Sequence, residues 1–144
     1  MKYTFFILSL FFSYALFGQH WNESYTDALQ FAKKENKPII LVFSGSDWCP
    51  PCKKLEKKIW QSEEFKTYAA KNYVLYNADF PRKKQNKLSE EKMTANKQLA
   101  EIYNPKGHFP LVVVMDQGEK ILGKTSYKKA TPNEYIAHLN SYIK

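Results

Sequence analysis

Ser44-Gly45-Ser46-Asp47-Trp48-Cys49-Pro50-Pro51-Cys52-Lys53 is the stretch on which the reading of this chain turns. Before it runs Ile39-Ile40-Leu41-Val42-Phe43, an apolar series of β character; after it, from Leu55 to Tyr68, runs a helical pattern. A strand passing through a tight turn into a helix leaves both cysteines at the helix N-terminus. Unpaired backbone N–H groups and the positive end of the helix dipole favour a thiolate there. Cys49 and Cys52 are the only cysteines of the chain. Two thiols two residues apart in this setting read as a reversible dithiol/disulfide pair.

The spacing assigns roles. Cys49 falls at the N-cap, so its sulfur is expected to be outermost and to attack a substrate disulfide. Cys52, one turn in, is expected to be less exposed and to resolve the mixed disulfide. Pro50 and Pro51 occupy the first two helical positions, where a missing N–H costs little. They withdraw two donors from Cys49 and leave mainly the Cys52 N–H.

The stretch Asp47 to Lys53 resembles the active site of the thioredoxin-like superfamily, Trp-Cys-x-x-Cys-Lys at a strand-to-helix turn. Far along the chain, Gly107-His108-Phe109-Pro110 precedes the apolar run Leu111 to Met115. Pro110 matches the family's cis-proline, which packs beside the cysteines and helps hold extended substrate. The resemblance covers Trp21 to Ile143. It implies an α/β three-layer sandwich and a substrate-binding groove of Trp48, Phe109 and Pro110. Two departures stand out. A buried carboxylate six residues before the first cysteine and its lysine partner are replaced by Phe43 and Leu75, so deprotonation of Cys52 must rely on solvent or another group. His108 stands where the family has a small residue and is expected to modulate Cys49, or else to lie idle on the rim. Glu56 is the nearest carboxylate in sequence and is expected to point to solvent.

The 144 residues suffice for one domain with a substantial core. Lys2, the apolar run Phe5 to Leu16 and small residues at Ala15 and Gly18 read as a secretory leader, with cleavage expected after Gly18 and, as the alternative, after Ala15. That divides the chain into a signal peptide, 1–18, and a thioredoxin-like domain, 19–144. The apolar run is about a dozen residues, short of the ~20 of a membrane span. A membrane is expected as a partner only if the leader stays uncleaved. Export to the periplasm or beyond is where disulfides persist. A bridge across two residues closes too small a loop to add much stability, so exchange is favoured over stapling.

The formal charge of +8 is spread along every helix, with no nucleic-acid motif beside it. Lys53, Lys54, Lys57 and Lys58 read as a solvated face, with a slight lowering of the Cys49 pKa as the alternative. Arg82 to Lys87 reads as a basic loop, either a plain surface insertion or a docking patch.

The remaining pattern is a helix over Asn22–Lys37, a strand over Tyr73–Ala78 parallel to the first, and a helix over Ser89–Tyr103. A hairpin of Leu111–Met115 with Lys120–Lys124 follows, then a helix opened by the capping box Thr131-Pro132-Asn133-Glu134. The second helix is expected to break near Gln61-Ser62. Met93, Leu99, Ile102 and Tyr103 are expected to face inward.

The function expected is an exported thiol-disulfide oxidoreductase acting on protein thiols and disulfides with a redox partner protein. It would work as a monomer, leaning to reduction, with no cofactor, no resident metal and no nucleic acid. Two alternatives remain: copper(I) or zinc handling by Cys49, Cys52 and His108, and a peptide-binding module whose redox activity is incidental.

Overall fold

A computed structural model describes residues 19–144; the proposed leader, 1–18, lies outside them. Ile39–Ser44 forms β1, buried along its whole length. A strand with no polar face must be covered on both sides, and it occupies the middle of the sheet. The four strands lie in the order β2-β1-β3-β4, with β2 at Val74–Asp79, β3 at Leu111–Met115 and β4 at Ile121–Thr125. β1 runs parallel to β2 and antiparallel to β3, and β3 pairs antiparallel with β4. Trp21 adds a single parallel bridge to Leu75 on the outer edge of β2.

Helices cover both faces. On one side α1 (Tyr25–Glu35) and α4 (Glu90–Tyr103) pack over Ile39, Leu41, Phe43, Tyr76, Val113 and Met115. On the other, α2 (Pro50–Leu55), α3 (Glu63–Asn72) and α5 (Pro132–Asn140) pack over Ile40, Val42, Leu75, Val112 and Val114. This is the α/β sandwich that the resemblance implied. The break in the second helix comes at Ser62, whose hydroxyl caps α3 through Phe65 N. The Thr131–Glu134 capping box is fully formed. Among the described residues no helix is long and apolar enough to cross a membrane.

Three expectations need correction. Ile102 faces outward, 67% exposed, because α4 buries Asn96, Leu99 and Tyr103, and position 102 lies off that stripe. Phe43 and Leu75 are both buried, but they point into opposite layers: Leu75 pairs with Ile40, and Phe43 with Ala78. They are therefore not a facing pair beneath the cysteines. The basic stretch 82–87 contains a short turn of 3₁₀ helix, Lys84–Asn86, and is anchored at several points described below.

Candidate active site

At the end of β1 the chain turns at Gly45, whose carbonyl accepts from Trp48 N at 3.2 Å and from Cys49 N at 2.9 Å. Gly45 is required by space: a Cβ there would fall inside the Trp48 indole. Cys49 then takes the N-cap position of α2, in extended backbone, with Pro50 and Pro51 opening the helix. Its Sγ accepts from Cys52 N at 3.3 Å, the donor that the two prolines were expected to leave. The Cys52 Sγ accepts from Gly45 N at 3.5 Å. The two cysteines form a disulfide, with Cα atoms 5.2 Å apart.

The expected difference in exposure is not found in this oxidised state. Cys49 is 3% exposed and Cys52 5%, so neither sulfur stands out. Trp48 meets Phe109 edge-on with ring centroids 5.4 Å apart, and Phe109 meets Phe80 at 5.6 Å. The Trp48 indole N–H donates to the Phe80 carbonyl at 2.7 Å.

The Phe109–Pro110 peptide bond is cis, as the resemblance implied. The loop before it is held by buried Asn104 at the end of α4. That side chain donates to the His108 carbonyl at 2.8 Å and accepts from His108 N at 2.9 Å. Ser126 fixes the other side, its hydroxyl donating to the Pro110 carbonyl at 2.7 Å. Two openings flank the disulfide region. A cavity of about 430 Å³ is lined by Cys52, Val42, Ser44, Asn77, Glu56 and Pro110. A shallower groove of about 570 Å³ runs along His108, Phe109, Pro110 and Leu111 to Thr125.

The structure thus brings Trp48, Phe109 and Pro110 together beside the cysteines. Pro50 is exposed and Pro51 half-buried. His108 is exposed on the groove; its backbone is tied to Asn104, and among the described residues its ring makes no hydrogen bond. Glu56 is exposed as expected, at the mouth of the Cys52 cavity. Among the described residues no group of three or more His, Cys, Asp or Glu side chains is placed to hold a metal.

Sequence reasoning missed the polar groups that set these loops. Buried Ser44 donates to Asn77 Oδ1 at 2.8 Å and lies 3.1 Å from Asp79 Oδ1. Asp79 also accepts from Ser46 N at 2.9 Å. Asn96 of α4 donates to the Asp79 carbonyl at 3.0 Å and accepts from Tyr76 at 2.7 Å. The available signal was a hydrophilic residue at the end of each strand, Ser44 on β1 and Asp79 on β2.

Residues 20–117 match a family model described as Thioredoxin-like. The disulfide bond reductase DsbH of Chlamydia pneumoniae is 37% identical over 122 residues, covering 85% of this chain and 72% of that protein. A solved structure described as DsbH oxidoreductase superposes with a TM-score of 0.80 at 34% identity, covering 87% of this chain and 84% of that one. The C-terminal domain of Neisseria meningitidis DsbD in its oxidised form shares the fold, with a TM-score of 0.57 at 18% identity and coverage of 81% and 90%.

Proposed function

The chain belongs to the thioredoxin-like family, and from that premise we propose that it is an exported protein-disulfide reductase working through Cys49 and Cys52. The observation that carries this reading is the cysteine pair at the N-terminus of α2, with Cys49 Sγ accepting from Cys52 N. A hydrogen bond to sulfur favours the thiolate form once the pair is reduced. Similarity to a protein named a disulfide bond reductase supports the direction.

The cycle balances as two exchanges. The Cys49 thiolate attacks one sulfur of a substrate disulfide, joins it as a mixed disulfide and expels the other sulfur as a thiolate. Cys52, having given up its proton, attacks Cys49 Sγ, restores the internal disulfide and releases the second substrate thiolate. Two electrons pass to the substrate, and a dithiol partner protein returns the pair to the reduced state. Trp48, Phe109 and Pro110 receive the extended substrate along the His108–Thr125 groove. Pro50 and Pro51 stiffen the turn, and His108 modulates it from the rim. Residues 1–18 act as a cleaved leader to the periplasm or beyond, and 19–144 as one monomeric domain that needs neither cofactor nor nucleic acid.

The test is trapping combined with a potential. Cys52→Ala is expected to accumulate mixed disulfides with client proteins, and Cys49→Ala to accumulate none. Equal trapping by both variants would overturn the roles. Insulin reduction by the mature domain with a low potential supports the direction; a value near about −120 mV, that of a strong oxidant, would reverse it.

A further inference from the structure

The basic stretch Arg82–Lys87 is fastened to the cysteine motif itself. Asp47, two residues before Cys49, accepts from Arg82 N at 3.0 Å, Lys83 N at 2.9 Å and Asn86 Nδ2 at 3.0 Å. Those donors hold its carboxyl down at about 2, the Arg82 N–H first among them, so the clamp is ionised at any ordinary pH. The Arg82 guanidinium lies over the Trp48 ring, 3.8 Å from its centroid. The short Lys84–Asn86 turn then folds the stretch back.

The donors that Asp47 takes are two backbone groups and one amide, and no lysine ammonium group is among them. Arg82, Lys83, Lys84 and Lys87 are all exposed. The ion pairs found among the described residues, Lys66–Glu63 and Lys92–Glu23, use none of them. A plain insertion needs no such fastening. Here a concentration of positive charge is fixed against Trp48, the residue adjoining Cys49.

We propose that Arg82–Lys87 is a docking rim for an acidic polypeptide, one whose reactive disulfide is flanked by aspartate or glutamate. The inference rests on the exchange reading above and names the class of partner. Coulomb attraction acts over about a Debye length, ~8 Å at physiological salt, which matches a rim bonded to the residue pair next to the sulfur. Charge of this kind raises the encounter rate and fixes register more than it adds raw affinity. An anionic membrane fits less well. The stretch has no apolar residue to insert into a bilayer.

The test uses the mature domain and two synthetic peptides with the same disulfide loop, one flanked by glutamates and the other by glutamines. Reduction of the glutamine peptide by the wild type tests the exchange reading alone; no turnover there would sink that reading, and with it this one. Given turnover, the rim predicts that the glutamate peptide reacts roughly tenfold faster at low salt. The preference should disappear in 0.5 M salt and in the Lys83→Gln/Lys84→Gln/Lys87→Gln variant, taken as the ratio of the two peptides within each protein. Turnover with no acidic preference, or a preference that survives the triple substitution, overturns the rim. Asp47→Asn separates a positioned rim from bulk charge. It loosens the clamp while making the site more positive, so a positioned rim predicts a weaker preference and bulk charge a stronger one. Cosedimentation with phosphatidylglycerol vesicles that needs the three lysines, without any peptide preference, would assign the stretch to a lipid surface instead.

Discussion

β3 has a carboxylate cluster near each end, and the two clusters hold different things. Near the Pro110 end, Asp47 accepts from the backbone N–H groups of Arg82 and Lys83, and Asp79 from the Ser46 N–H and the Ser44 and Ser46 hydroxyls. At the far end, Glu119 in the β3–β4 turn accepts from two phenols, Tyr25 at 2.9 Å and Tyr103 at 3.3 Å. Those rings and Tyr76 floor a cleft of about 500 Å³ between α1 and α4, larger than the cavity at Cys52. The first cluster fixes loops around a reactive group; the second closes side-chain packing where no reactive group stands. Disturbing the first should change exchange before stability, and disturbing the second the reverse.

The largest expected effect is at the tyrosine end. Burial raises Tyr25, Tyr76 and Tyr103 above the ordinary phenol value, and the hydrogen bonds to Glu119 and Tyr103 add to the rise at Tyr25. A raised value means that the folded state keeps protons which the unfolded chain releases. Their contribution is thus complete below pH 10 and lost as pH rises beyond it. Each phenol kept neutral costs about 1.4 kcal/mol per pH unit above 10. Denaturant midpoints should be flat from pH 8 to 9.5 and then drop, and phenolate absorbance should appear together with unfolding. Smooth ionisation of every tyrosine in the folded state would break the contrast.

At the cysteine end, Gly45→Ala sharpens it. The added methyl occupies the space of the Trp48 indole, which is held by the Phe80 carbonyl, Phe109 and Arg82. Overpacking of this kind costs about 1–3 kcal/mol. The expected result is a modest loss of stability with a disproportionate loss of exchange rate, followed by near-ultraviolet circular dichroism and peptide reduction on the same sample. Wild-type exchange in a folded Gly45→Ala protein would show that the indole need not sit where it does.

What the sequence made legible follows the same division. β1 was readable because a strand covered on both faces has no choice but apolar residues. The caps at Cys49 and Thr131 were readable because capping is local. Trp60 was missed, although it is buried against Trp21, Phe65 and Tyr135. Residues Glu56–Trp60 form one wide π-type turn, closed by Gln61 N to the Glu56 carbonyl, and Ile59 and Trp60 at its end are both buried. The partners of Asp47 and Asp79 lie more than thirty residues from them, and no spacing rule reaches that far. The cysteines were therefore plain, and the groups that arrange their surroundings were not.

The smallest effect tests whether the acidic clamp is as separate as the comparison requires. The donors around Asp47, led by the Arg82 N–H, lower its carboxyl to about 2. A lowered value means that the clamp's contribution is complete above the ordinary carboxyl range near 4 and is lost as pH falls through about 2. Asp47 is a surface group, so global stability should barely register the change. The local readout is nuclear magnetic resonance: the Asp47 carboxyl carbon and the Arg82 and Lys83 amide protons should share one midpoint near 2, which the Tyr25 and Tyr103 ring signals do not follow. An Asp47 midpoint near 4 would mean that the loop is not clamped. A shared midpoint that also moves the tyrosine rings would mean that the two ends of β3 are one cooperative unit, and the division between loop-holding and packing carboxylates would have to be given up.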